Sequence, residues 1–134
     1  MEKRERVKNS TFIALYREML YSSVFDDPIT LKVWIWCLLK ASYKERTIEI
    51  GTQQIKIFPG QFVTGRKSAS SQLKLSEMQY RSRIKTLERT QRITVKVTNR
   101  FSIITVINWA LYQITPEEIT SKLTNKQPTD NQIS

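Results

Sequence analysis

Four basic side chains, Arg81, Arg83, Lys85 and Arg89, fall within the stretch LSEMQYRSRIKTLERT at residues 75–90, against two acids. Guanidinium and ammonium groups at this density suit phosphate oxygens, and the arginine fork also matches the N7 and O6 acceptors of guanine. Gln79 carries the paired donor and acceptor that match adenine, and Ser82 a hydroxyl that serves either role. The chemistry these residues offer is recognition of a polyanion. Bond-making chemistry has much less to work with. The 134 residues contain no histidine and one cysteine, so no Ser–His or Cys–His nucleophile pair and no ordinary Cys/His zinc site can be assembled. Phosphate-binding loops of the GxxxxGK[ST] or GxGxxG kind are absent, and glycine occurs three times. The adjacent carboxylates Asp26 and Asp27 precede Pro28, which reads as a helix start with Asp27 as the N-cap, not as an acid–base pair. The expectation is a non-enzyme without catalytic residues, metal or cofactor.

Charge supports the same view. The net charge is +10, and residues 61–112 alone carry ten Lys/Arg against two Asp/Glu. Solubility does not require so lopsided a distribution, whereas a polyanionic partner does. A single cysteine fits a reducing compartment, and the charged start MEKRERVKNS does not resemble a secretory signal. The apolar run VWIWCLLKA is too short to span a bilayer. A cytoplasmic protein with no membrane association is expected.

The elements that would position these side chains follow from spacing. Phe12, Leu15, Tyr16, Met19 and Leu20 recur at helical intervals, predicting a helix capped by Asn9 or Ser10 and running to about Tyr21. A second helix runs from Pro28 to about Ser42, with Leu31, Trp34, Ile35 and Leu38 on one face. Trp36 falls about 200° round that helix from Trp34, so the helix is either buried on two sides or meets another subunit. Cys37 reads as a small buried hydrophobe. Ile48, Ile50, Ile55 and Ile57 alternate about a polar turn at Gly51, predicting a β-hairpin, and Pro59, Gly60 and Gly65 break the chain before a short helix at 66–73. Ser76 and Gln79 form a capping box for a helix at 77–90, whose core face is Tyr80, Ile84 and Leu87. Two strands then flank Asn99–Arg100, with Ile93, Val95, Val97, Ile104 and Val106 inward, and Phe101, Ile103 and Lys96 outward. A short helix, a turn, a capped basic helix and a hairpin together predict an α+β fold: a winged helix-turn-helix with two added N-terminal helices and a β-hairpin before it. Residues 1–113 would form this DNA-binding domain, and residues 114–134 a polar, largely disordered tail or linker with a brief helix at 116–123.

LYREMLYSSVFDDPITLKVWIWCLLKASYKE, PGQFVTGRKSAS and LSEMQYRSRIKTLERTQRITVKVTNRFSIITVINWALYQ resemble, in order and spacing, the N-terminal domain of DnaD-like phage and prophage replication proteins, the replisome organisers. The resemblance covers residues 12–113. It implies a winged helix that binds DNA at or near an origin, helps assemble the replication machinery with host replication proteins, and self-associates. Lys74 and Gln91 stand where that pattern usually has glycine. The expected partner is double-stranded DNA. The expected contact residues are Lys67, Arg83, Lys85 and Arg100 at phosphates and Gln79, Arg81 and Ser82 at bases, with Thr86, Arg89 and Lys96 beside them. Transcriptional regulation and a protein-interaction role, the latter motivated by Trp36, Phe101 and Ile103, are the alternatives.

Overall fold

A computed structural model describes residues 12–114, and the expected Asn9/Ser10 cap and the tail from residue 115 lie outside them. The fold is mixed α+β. Its elements are β1 (Phe12–Ile13), a 3₁₀ turn (Arg17–Tyr21), α1 (Ser23–Asp26), α2 (Pro28–Lys40), β2 (Arg46–Ile50), β3 (Gln53–Ile57) and β4 (Gln61–Thr64). There follow α3 (Arg66–Leu73), α4 (Glu77–Arg89), β5 (Ile93–Val97), β6 (Ser102–Val106), a 3₁₀ turn (Trp109–Leu111) and β7 (Gln113–Ile114). Three antiparallel sheets result: β1–β7, β2–β3, and a three-stranded sheet in the order β4–β6–β5. Among the described residues no helix is long and apolar enough to cross a membrane.

The core lies where α2, α3 and α4 meet the inner face of the three-stranded sheet. Val33, Trp34, Cys37 and Leu38 of α2, Leu73 of α3 and Leu87 of α4 are buried there with Phe62, Ile93, Ile104 and Val106 from the strands. Helix α2 is buried on two sides within one chain. Trp34 packs edge-on against Tyr112, and Trp36 packs edge-on against Phe62 and Tyr80 while its indole N–H donates to Gln72 Oε1. Burial pushes the Cys37 thiol far above its ordinary pKa, so it stays a neutral hydrophobe.

Local signals account for the helix ends. Asp27 Oδ2 accepts from Thr30 N–H at 3.1 Å, and Pro28 opens α2 without losing a needed donor. The Ser76–Gln79 capping box opens α4. Helices α3 and α4 each end on a left-handed residue that is not glycine, Lys74 at φ 59° and Gln91 at φ 63°. Around Lys74, Leu75 N–H donates to Ser70 O, and around Gln91, Arg92 N–H donates to Leu87 O, the six-to-one bonds of a Schellman ending. The chain therefore keeps the geometry glycine usually supplies, against a left-handed cost of about 1 kcal/mol or more at each position. Lys32 of α2 also closes the end of α3, its ammonium donating to Leu73 O at 2.6 Å.

Several expectations are corrected. No helix spans residues 12–21: Phe12 and Ile13 pair with Ile114 and Gln113, and Tyr16 is extended. Of the proposed buried face, Phe12, Leu15, Tyr16 and Leu20 are exposed. The periodicity there was overridden by a strand partner about a hundred residues away in sequence. Strand β4 was not anticipated. It pairs with β6, setting Val63 opposite Ile103 and leaving Ile103 half-buried. Phe101, expected on an exposed face, is buried. Conversely Val97, assigned inward, is 73% exposed because β5 runs past the core at that end. The β5–β6 turn does centre on Asn99–Arg100, but neither residue takes a positive φ. Instead the Thr98 hydroxyl accepts from Arg100 N–H and Phe101 N–H and donates to Phe101 O.

Candidate nucleic-acid interface

Helix α4 fixes the site, because its core side is held by Tyr80, Ile84 and Leu87. At 100° per residue, Met78, Ser82, Lys85 and Arg89 stand on the opposite side, with Arg81 and Glu88 on one flank and Gln79, Arg83 and Thr86 on the other. The Arg81–Glu88 flank faces the β5–β6 hairpin across a groove of about 410 Å³. Its walls are Tyr80, Arg81, Ile84, Lys85 and Glu88 from α4, Val95, Val97 and residues 98–102 from the hairpin, and Gly65 and Arg66 at the start of α3. Four cations, Arg66, Arg81, Lys85 and Arg100, line this groove against one anion, Glu88. Burial raises the Tyr80 hydroxyl above its ordinary pKa, so the groove floor remains uncharged.

The ten residues expected to contact nucleic acid do not share one surface. Arg81, Lys85 and Arg100 converge on the groove. The Arg81 and Lys85 side chains make no hydrogen bond or ion pair among the described residues, so their charge is uncommitted. Ser82 and Arg89 are exposed on the outer side of α4, and Lys67 is exposed on the first turn of α3. Lys96 lies on the other face of β5, since its neighbours Val95 and Val97 line the groove. Arg100 sits at the hairpin tip against the β2–β3 turn, where a Cβ at Gly51 would come within 2.7 Å of its Nη1.

Three of the expected contacts are engaged inside the fold. Arg83 Nε donates to Asp27 Oδ2 at 2.8 Å, tying α4 to the N-cap of α2, and it is only 24% exposed. Hydrogen bonds first from Thr30 and then from Arg83 hold the Asp27 carboxyl below the usual carboxylate range. Gln79 Oε1 accepts from Ser76 N–H at 3.1 Å, so its acceptor is spent on the capping box. The Thr86 hydroxyl donates to Ser82 O and is half-buried. Arg92 is a further basic residue serving the fold, with Nη2 donating to Ser22 Oγ and its guanidinium 5.3 Å from the Trp34 ring centroid.

Sequence reasoning missed Arg66, which stands 3.8 Å from Glu77 at the groove mouth. Its charge was visible beside Lys67, but the fold of α3 against α4 decides which of the two reaches the groove. Thr98 and Asn99 were missed in the same way, as turn residues without charge. Among the described residues no cluster of His, Cys, Asp and Glu could hold a metal ion. The arrangement can cradle a phosphate backbone along its cations and present the outer side of α4 to base edges. Comparison with protein-family models, with curated proteins and with solved structures finds no match to this chain.

Proposed function

We propose that this chain is a winged-helix domain that binds double-stranded DNA and acts in replication initiation of a phage or other mobile element. The groove between α4 and the β5–β6 hairpin carries the reading, with four cations to one anion and the Arg81 and Lys85 side chains uncommitted among the described residues. In it α3 and α4 form the helix-turn-helix, β5–β6 the wing, and α4 the helix that enters the major groove. The replication role, and partners in the host replication machinery, come with the resemblance of residues 12–113 to DnaD-like proteins. The same geometry fits a transcriptional regulator, and the location of the bound sites decides between them: clustered at an origin for replication, inside promoters for regulation.

Arg81→Glu combined with Lys85→Glu tests the groove. Both side chains are exposed, so the double variant should keep the wild-type circular dichroism and melting curve while losing DNA binding. If Arg66, Lys85 and Arg100 meet phosphates while Arg81 meets a base, the wild-type log–log slope of affinity against salt should be roughly −3. A slope near zero, or undiminished binding by the double variant, would sink the assignment.

Self-association is a second, compatible reading that one observation favours. Phe12, Leu15, Tyr16, Leu20, Tyr21 and Leu111 are all exposed on segments that the β1–β7 pairing and the Tyr16–Leu111 hydrogen bond bring together. Trp36 and Phe101, which first motivated that reading, are instead used within the chain. Light scattering should give a mass above the monomer's, reduced to monomer by Leu20→Glu with Tyr21→Glu.

A further inference from the structure

A recognition helix meets base edges mainly through its first two turns. In α4 those turns contain Gln79, the side chain best matched to adenine, yet it is unavailable. Its Oε1 accepts from Ser76 N–H, while Ser76 Oγ accepts from Gln79 N–H at 3.0 Å. Turning Gln79 toward a base would open the capping box that starts the helix. Arg83, on the same flank, is withdrawn by Asp27, and Glu77 stands beside Arg66. Met78 and Arg81 remain, with Ser82, whose hydroxyl accepts from Arg83 Nη1 at 3.3 Å and keeps its own proton to donate.

Met78 is the unexpected member of this set. It is 80% exposed, lies on the side of α4 opposite Tyr80, Ile84 and Leu87, and stands one turn before Ser82 on a surface otherwise polar and basic. The edge of a base pair in the major groove offers one apolar group, the C5 methyl of thymine. A long unbranched thioether can settle against such a methyl with little loss of shape complementarity.

We infer that Met78 is a specificity-determining residue that reads a thymine methyl, and that Gln79 is not the base reader its type suggests. The inference rests on α4 entering the major groove, as proposed above. It converts a side chain with no role in the core into the apolar half of a code whose polar half is Arg81 against guanine.

The probe is a pool of short duplexes with a randomised core, synthesised once with thymine and once with uracil, which differ only by that methyl. Anisotropy at matched salt should show wild-type protein binding the thymine pool more tightly after one round of selection. Burying one methyl on docking corresponds to about fourfold. Met78→Ala should fold normally, lose about that factor on the thymine pool, and bind both pools equally. Wild-type protein that binds both pools equally, with an unchanged salt slope, would overturn the Met78 assignment and leave DNA binding intact. Met78→Ala that still prefers thymine would overturn it too, assigning the preference to duplex shape. Absence of binding to either pool would overturn both the DNA reading and this inference.

Discussion

Asp27 joins two helices whose contact residues stand 56 positions apart: it caps α2 through Thr30 and holds Arg83 of α4. Its depressed pKa sets the sign of a pH effect. A carboxylate whose folded pKa lies below its unfolded value adds stability fully above the unfolded value of 3.8, and loses it as pH falls through the folded pKa. Asp27→Asn keeps the cap but drops the charge. It should therefore lower the melting temperature above the ordinary carboxylate range, with the difference from wild type shrinking as pH falls below it; a pH-independent difference would contradict the ion-pair account. The cap was legible, because Asp-Asp-Pro is a local signal. Arg83 was not, because nothing local distinguishes it from Arg81 two residues earlier. Gln79 teaches a related lesson. The capping box could be read in the sequence, and so could its consequence that a capping glutamine cannot also address adenine, yet the two roles were assigned to one side chain.

At the level of elements, the helices and hairpins whose signals are local came out where periodicity and caps placed them: α2, α3, α4, β2–β3 and β5–β6. Elements that depend on a distant partner did not. Gln61–Thr64 is a strand because β6 lies beside it, and Phe12–Ile13 is a strand because Gln113–Ile114 does. Neither short segment carries enough alternation to declare itself. The two Schellman endings give a prediction at this scale. At Lys74 the left-handed backbone costs about 1–2 kcal/mol for an L-residue, while glycine adds about 0.4–1 kcal/mol of unfolded-chain entropy. Lys74→Gly should therefore stabilise the protein by roughly 0.5 kcal/mol, seen as a higher urea midpoint at unchanged m-value. A loss of stability would mean that the Lys74 side chain contributes more at that turn than its exposure indicates. The same turn sets how α3 approaches α4, so the variant should leave DNA affinity changed only by the lost charge.

The whole molecule is a basic body whose surplus charge collects in residues 61–112, and that concentration was readable before any element was placed. What composition could not tell is how much of it is free. Arg83 and Arg92 are spent on the fold, while Arg66, Arg81, Lys85 and Arg100 meet at one groove. The absence of histidine has a consequence at this scale. No imidazole is present to titrate near neutrality, and burial raises the pKa of the one thiol, so neither side-chain type changes the charge between about pH 5.5 and 8.5. DNA affinity at fixed ionic strength should then be flat across that range, and a break near pH 6.5 would point to a titrating group that this chain does not supply. The edge-on packing of Trp36 against Phe62 and Tyr80 keeps that indole within the body. All three indoles are buried or half-buried in the native body, Trp36 directly behind α4, whereas the groove and the outer side of α4 contain none. Native emission should be blue and should shift red only when the body opens. Intrinsic fluorescence thus follows unfolding while remaining nearly blind to ligand at the groove, so a single sample can report whether a variant has lost its grip or its shape.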